Sequence, residues 1–282
     1  MPDSAASRPA PGKPSAKTTP MPRQIAHHFC RQALTLLLPV LSWLACGPAS
    51  AGWYRVTNYE GLLGQTPIHL SIQQHEGDGP GGLNIYGDYY RDRDMVAIPL
   101  YGTLDEQGRL TLCQTPSFDE YAKVVLKRSP TPPVDTSGCA FRLTLADQSI
   151  SGSFVEGKRK SDVRLKQTAY LDDTQGLNIT GTFALPFWGQ TPQYLFVGVY
   201  SPKGYVVVNV INKRSHHVIQ VIHPERHGCN FGYFITLIHM NVESFPHRPE
   251  QVILRCQGPK DGYMLQYKLN PSIGKFDLVN AK

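Results

Sequence analysis

The chain has 282 residues, 41% of them hydrophobic, with 28 Lys and Arg against 22 Asp and Glu for a formal net charge of +6. Arg8, Lys13, Lys17, Arg23, Arg31 and Asp3 all precede Gly52, so beyond that point the balance is 23 basic to 21 acidic residues and the net charge is +2. That near-neutral balance gives no reason to expect nucleic acid or an anionic membrane as partner, and no later segment is apolar for long enough to span a bilayer as a helix.

Residues 1–20 are rich in Pro, Ala, Ser and Lys and hold almost nothing apolar. They read as a disordered leader or as sequence upstream of a true start at Met21. Residues 21–51 have the form of a secretion signal. Arg23, His27, His28 and Arg31 make a basic start, Ala33 to Ala45 is an apolar stretch too short to cross a membrane, and Ala49-Ser50-Ala51 is a small-residue cleavage site. Cleavage there leaves Gly52 as the first residue of a periplasmic or secreted protein. A lipid anchor at Cys46 is the other processing outcome, but Trp43-Leu44-Ala45-Cys46 fits the lipoprotein pattern poorly.

From Gly52 onward the pattern is that of strands, and the expected fold class is all-β: two antiparallel β domains, 52–175 and 176–282, sandwich-like or barrel-like and able to share one core. Ile68, Leu70 and Ile72 alternate with His69, Ser71 and Gln73, and Phe141, Leu143 and Leu145 alternate with Arg142, Thr144 and Ala146, as expected of strands with one buried face. Tyr263, Leu265, Tyr267 and Leu269 do the same. Val206 to Ile211, Phe234 to Ile238 and Val252 to Leu254 are apolar on both faces and read as central strands. Turns are expected at Gly77 to Gly82, Asp105 to Gly108, Ser129 to Gly138 and Pro202 to Gly204.

Two internal echoes stand out. A motif of polar residue, Ile, any, Gly, any, aromatic recurs at Asn84 to Tyr89, Ser149 to Phe154 and Asn178 to Phe183, with the Ile expected on one strand face and the Gly and aromatic residue on the other. Its irregular spacing argues against a solenoid or propeller, and packing of rings over glycine is the simplest account. Gly64-Gln65-Thr66-Pro67 is repeated as Gly189-Gln190-Thr191-Pro192.

Signatures of catalysis that a sequence can carry are missing: there is no His-Glu-x-x-His, no Gly-x-Ser-x-Gly, no phosphate loop and no dinucleotide fingerprint. Asp119-Glu120 and Asp172-Asp173 are adjacent carboxylates, which on a strand point to opposite faces, so both read as solvated. His216, His217, His223, His227, His239 and His247 fall close together. Pro224 breaks the helix that a His223-x-x-x-His227 metal pair would need, and the histidines read as a polar turn. Asn178-Ile179-Thr180 is a glycosylation sequon only in a eukaryotic secretory pathway.

Removal of the signal takes Cys30 and Cys46 and leaves Cys113, Cys139, Cys229 and Cys256, an even number in an oxidising compartment. Three pairings are open. The sequential one, Cys113 with Cys139 and Cys229 with Cys256, is favoured because each bond closes a moderate loop within one half, whereas a zinc site would need closer spacing.

Three patches near the C-terminus carry a family resemblance. Val207 to Ile211 followed by His217-Val218-Ile219-Gln220-Val221-Ile222 looks like a strand pair with Gln set between aliphatic residues, and Tyr267 to Phe276 looks like a closing strand and turn. Together they resemble periplasmic immunity proteins that inhibit lysozyme-like peptidoglycan hydrolases, related in fold to inhibitors of invertebrate-type lysozymes. Members of that family carry an acidic, glycine-containing calcium loop between these patches. Here the stretch is His239 to Phe245, which keeps only Asn241 and Glu243 as candidate ligands, and calcium needs six or more oxygens, so no metal or other cofactor is expected. Related inhibitors place a Ser-Gly-x-Tyr loop in the enzyme cleft, and Ser151-Gly152-Ser153-Phe154 is the nearest equivalent, with Phe in place of Tyr.

The expected function is that of a secreted or periplasmic, disulfide-bonded binding protein that occludes a peptidoglycan hydrolase without turnover. The alternatives are an envelope hydrolase whose active site comes together only in three dimensions, and a structural or ligand-carrying β module.

Overall fold

The computed structural model describes residues 54–75, 82–125, 133–172, 182–200, 206–229, 241–245, 247–255 and 264–281. The expected signal segment, the expected turns at Gly77 and Pro202, the strand expected at Phe234 to Ile238, Asn178 to Gly181 and Cys256 lie outside them. Residues Ser50–Lys282 form one compact unit. Among the described residues it is all-β apart from one helix and a 3-10 turn.

Eight strands, β1 (Tyr54–Leu63), β2 (Thr66–His75), β3 (Ile85–Arg91), β4 (Ile98–Leu104), β5 (Arg109–Gln114), β6 (Phe141–Ala146), β7 (Ser149–Glu156) and β8 (Arg159–Asp172), run up and down in sequence order and close into a barrel through β1 and β8. The alternation read from the sequence fills its interior. Ile68, Leu70 and Ile72 of β2 meet Leu110, Leu112, Phe141, Leu143, Val163 and Leu165 there, as in eight-stranded barrels whose bore is just wide enough for side chains. Tyr89, Phe141 and Phe154 form a ring cluster, with centroids 5.2 Å apart for Tyr89 and Phe141 and 4.7 Å for Phe141 and Phe154.

The repeated motif is explained by this interior, with one correction. Ile85, Gly87 and Tyr89, like Ile150, Gly152 and Phe154, stand two residues apart and so share a strand face, with the Ile and the aromatic ring buried inside the barrel although Gly152 is itself exposed; the Ile does not face away from the other two. A Cβ on Gly87 would collide with the Ser71 carbonyl of β2, and one on Gly152 with the Arg142 carbonyl of β6. The glycines therefore admit the neighbouring strand's backbone, which lets the barrel wall curve sharply around its rings.

A second correction concerns α1 (Phe118–Val125), which contains Asp119 and Glu120. These carboxylates lie in the first turn of a helix and not on a strand, though both are exposed as expected. Ser117 caps it, its Oγ accepting the Glu120 N–H at 3.2 Å, and Ser117-x-x-Glu120 is the capping-box spacing that would have marked the helix in the sequence. The connection from β5 to β6 that holds α1 is stapled at its base by Cys113–Cys139.

The outer barrel face is not left to solvent. Ser71 and Gln73 of β2 and Asp88 of β3 point outward yet are buried, because α1 and the second half of the chain cover them. The expectation of one buried face per strand fails here for that reason.

The second half contains two four-stranded antiparallel sheets, one of β9 (Phe183–Gln190), β10 (Tyr194–Tyr200), β11 (Val206–Asn212) and β12 (Val218–Ile222), the other of β13 (Val242–Phe245), β14 (Arg248–Arg255), β15 (Met264–Asn270) and β16 (Lys275–Ala281). β11 and β14 are central strands, as their two-faced apolar pattern predicts. The sheets share a core of Trp188, Phe196, Val208, Val252, Leu265, Phe276 and their neighbours, which extends onto Tyr54, Val56 and Leu171 of the barrel. Gly198 makes room for the Trp188 indole, which a Cβ there would overlap. The Gly-Gln-Thr-Pro echo marks two hairpin turns, β1 to β2 and β9 to β10, but only Gln190 reaches across the molecule.

That reach joins the halves. Gln190 accepts from Ala97 N–H and donates to Ala97 C=O, both at 3.0 Å, pinning the β3 to β4 loop, while Met95 and Ala97 pack on Leu195 and Val197. Lys213, only 8% exposed, donates to the same Gln190 oxygen at 2.6 Å. Burial lowers its pKa to about 8, with Asp94 acting weakly in the opposite direction.

Two outcomes are expected from this packing. Gly152→Ala costs of the order of 3 kcal/mol in a denaturant titration, because the barrel wall must shift to admit the methyl group. Lys213 binds its proton less tightly when folded, so the unfolded chain holds more protons between pH 8 and 10.5 and this site makes stability rise with pH across that window. Lys213→Met removes the rise and stabilises the protein at pH 7 by about 2 kcal/mol, measured as the wild-type to variant difference at each pH.

Candidate functional site

The residues singled out for partner binding, Ser151 to Phe154, lie in the middle of β7 and not in a loop. Ser151 and Ser153 face outward from the barrel wall beside Arg164 and Asp162 of β8, Gly152 between them is exposed as well, and Phe154 alone faces the interior, buried among its ring partners. The motif is thus divided between a polar surface and a packed core.

Asn241 is buried just before β13, and its carbonyl accepts the Arg255 N–H at 2.9 Å. Glu243, on β13, is ion-paired with the Arg255 guanidinium, whose Nε lies 2.9 Å from its Oε2. The degenerate calcium stretch is therefore strand-forming, with its carboxylate already matched by a cation. Among the described residues no cluster of three or more His, Cys, Asp or Glu side chains could hold a metal ion. His223 and His227 flank a 3-10 turn (Pro224–His227), and His223 Nδ1 lies 3.1 Å from Glu225. Cys229 is disulfide-bonded, with a partner outside the described residues.

Two polar groupings could not be read from sequence spacing. On the barrel wall, His69 lies between two carboxylates, its Nδ1 3.2 Å from Glu60 and its Nε2 2.8 Å from Asp92, and its ring stacks on Tyr90 with centroids 4.5 Å apart. Strand pairing brings His69 opposite Glu60 in β1, and the turn after β3 supplies Asp92. Asp172, read as solvated, is half-buried at the end of β8 and paired with Arg55 at 3.3 Å; Asp173 lies outside the described residues.

The three patches carrying the family resemblance converge in space. β11 pairs with β12, and β12 lies against β16 although the two belong to different sheets. Gln220 makes the join: its Nε2 donates to the Phe276 carbonyl and its Oε1 accepts the Phe276 N–H, each at 2.7 Å. This holds the start of β16 immediately after the β15 to β16 turn. Within the turn, the Asn270 carbonyl accepts the Gly274 N–H at 2.9 Å, Asn270 Oδ1 accepts the Ser272 N–H at 3.1 Å, and Asn270 Nδ2 donates to Asp277 at 3.0 Å. Gly274, at φ +65°, supplies the left-handed residue that closes such a turn.

Ile273 sits in this fixed turn and is 59% exposed. Val218 and Val221 on the outer face of β12 and Val279 on β16 are also about half exposed. A large aliphatic side chain displayed on a turn with its own hydrogen bonds already made is suited to entering an apolar pocket, since little conformational freedom remains to be lost on binding. The family resemblance includes this stretch, whereas the nearest Ser-Gly-x-Tyr equivalent, Ser151 to Phe154, lies on β7. The strand that follows the turn is bonded to Gln220, 56 residues from Phe276 along the chain.

A scan of protein-family profiles finds none that matches the chain, and a search of curated proteins finds no match either.

Proposed function

We propose that the chain is exported through its N-terminal signal and acts as an inhibitor of a peptidoglycan hydrolase, in the manner of a periplasmic immunity protein, by seating the β15 to β16 turn in the enzyme's cleft. The observation that carries this reading is Ile273, exposed at the head of a hairpin whose backbone is fixed by Asn270 within the turn and by Gln220 from the neighbouring sheet. A rigid apolar projection excludes water from a cleft at low entropic cost and blocks it without being turned over. The disulfide-bonded Cys113, Cys139 and Cys229 support an oxidising compartment. No helix among the described residues is long and apolar enough to cross a membrane.

A second reading, an envelope hydrolase, draws on the Glu60, His69 and Asp92 grouping, the place where carboxylates converge on an imidazole on the barrel wall.

Titration of the protein from Gly52 onward against muramidases and lytic enzymes encoded beside its gene separates the two. The inhibitor reading expects lysis to stop near stoichiometric ratio. Ile273→Asp is expected to weaken inhibition roughly 30-fold, the size of a central interface residue, with the melting temperature unchanged. Unimpaired lysis at micromolar excess removes the reading, and breakdown of peptidoglycan by the protein alone favours the hydrolase.

A further inference from the structure

The outer face of β3 contains a group that neither the barrel nor the proposed binding turn uses. Asp88 is 1% exposed, and neither of its carboxyl oxygens has a hydrogen-bond partner among the described residues. Its register neighbours are Ser71 on β2 and Pro99 on β4. Proline has no N–H to offer, and the Ser71 hydroxyl is turned away, donating to Asn58 at 2.9 Å while Asn58 donates to the Ala184 carbonyl at 2.7 Å.

From its own strand Asp88 is flanked by Tyr86 and Tyr90. From β2 the same face brings His69, engaged between Glu60 and Asp92, together with Gln73 and His75, and from β4 it brings Tyr101. From α1 comes Tyr121, wholly buried with Val125 against Leu83 and Tyr86. The charged groups of α1 do not face the carboxyl: Asp119, Glu120 and Lys123 are exposed, with Lys123 and Glu120 paired at 2.6 Å. His75 is held neutral by burial, its pKa down at about 4. Thus, among the described residues, no Lys or Arg meets Asp88 on this face, and the imidazole of His69 is taken up by Glu60 and Asp92.

An ionised carboxylate cannot remain in such a place cheaply, whereas a protonated one can. The cover is the part best able to yield. α1 is two turns long and is held by the packing of Tyr121 and Val125, while the connection that carries it is anchored at both ends of its base by Cys113–Cys139. The barrel strands beneath are secured on both sides by ladders.

We propose that α1 is a hinged cover over Asp88, closed while the carboxyl keeps its proton and lifted on the tether of the Cys113–Cys139 disulfide when the proton is lost. Lifting gives Asp88 water and exposes Tyr86 and Tyr121 together, without unfolding the barrel. The sign follows from linkage. Burial raises the closed-state pKa well above the ordinary carboxylate value, so closure is favoured in full below about pH 4 and weakens as pH rises toward the raised value.

Hydrogen exchange of a peptide spanning Phe118–Val125, corrected for the intrinsic pH dependence of exchange, reads the opening directly. The opening constant should rise by up to about tenfold per pH unit above pH 4 and then level off, while peptides from β14 show no such trend. Asp88→Asn should abolish the rise and leave α1 more protected at neutral pH. Comparing the two proteins at each pH cancels any contribution from His75. A flat profile in the wild type, or the same rise in Asp88→Asn, overturns the proposal. Should that variant fail to fold, carbon-13 NMR of the Asp88 carboxyl in the wild type decides: titration well above the usual carboxylate range supports the cover, and titration within it refutes it.

Discussion

The amide of Gln220 takes the place of a missing stretch of β ladder. By donating to the carbonyl and accepting from the N–H of one residue, Phe276, at 2.7 Å, it forms the pair of bonds that a neighbouring strand would have formed, and so joins two sheets whose edges otherwise end there. Gln190 does the same at Ala97 across the junction of barrel and second half. Each bond adds only about 1 kcal/mol net, yet a buried amide or peptide left unpaired costs more than that, so the clasps act chiefly by excluding other placements of the sheets. The position of the Ile273 turn depends on the first clasp, because Phe276 is the first buried residue after it.

A second constraint is that the barrel is wetted over only part of its wall. Its interior is filled by its own strands, which leaves no bore for a ligand along the described length, while the outer faces of β1 to β4 serve as a bed for α1 and for the second half. Strands buried on both faces must place polar side chains somewhere. Ser71 and Asn58 resolve this by bonding to each other and to Ala184, but Asp88, between a proline and that pair, does not. Tight packing of the barrel against its covers thus leaves Asp88 as a carboxyl whose ionisation opposes the packing.

The strands were legible because period-two alternation follows directly from a filled barrel: Ile68, Leu70 and Ile72, and Phe141 with Leu143, face inward as the sequence suggests. The partners of the outward residues were not, since Ser71, Gln73 and Asp88 look solvent-facing until elements from elsewhere in the chain cover them. α1 is too short to impose helical periodicity, and only its Ser117 to Glu120 cap announces it. The Ile, Gly and aromatic motif was visible as a repeat, but its meaning depended on all three residues facing one way and on a neighbouring carbonyl that no sequence shows. For the candidate site, the patches at β12 and at β15 to β16 were found in the sequence, whereas the clasp that unites them spans 56 residues. The nearest Ser-Gly-x-Tyr equivalent, Ser151 to Phe154, folds into the wall of the barrel as part of β7.

The proposal that the β15 to β16 turn is a contact surface is tested most directly by a hydrogen-exchange footprint of the protein mixed with a lytic enzyme whose activity falls on its addition. The account predicts new protection from Asn270 to Phe276 and in the adjoining β12, with β7 unchanged. Protection of β7 around Ser151 and Ser153, with the turn left as fast as in the free protein, would contradict it.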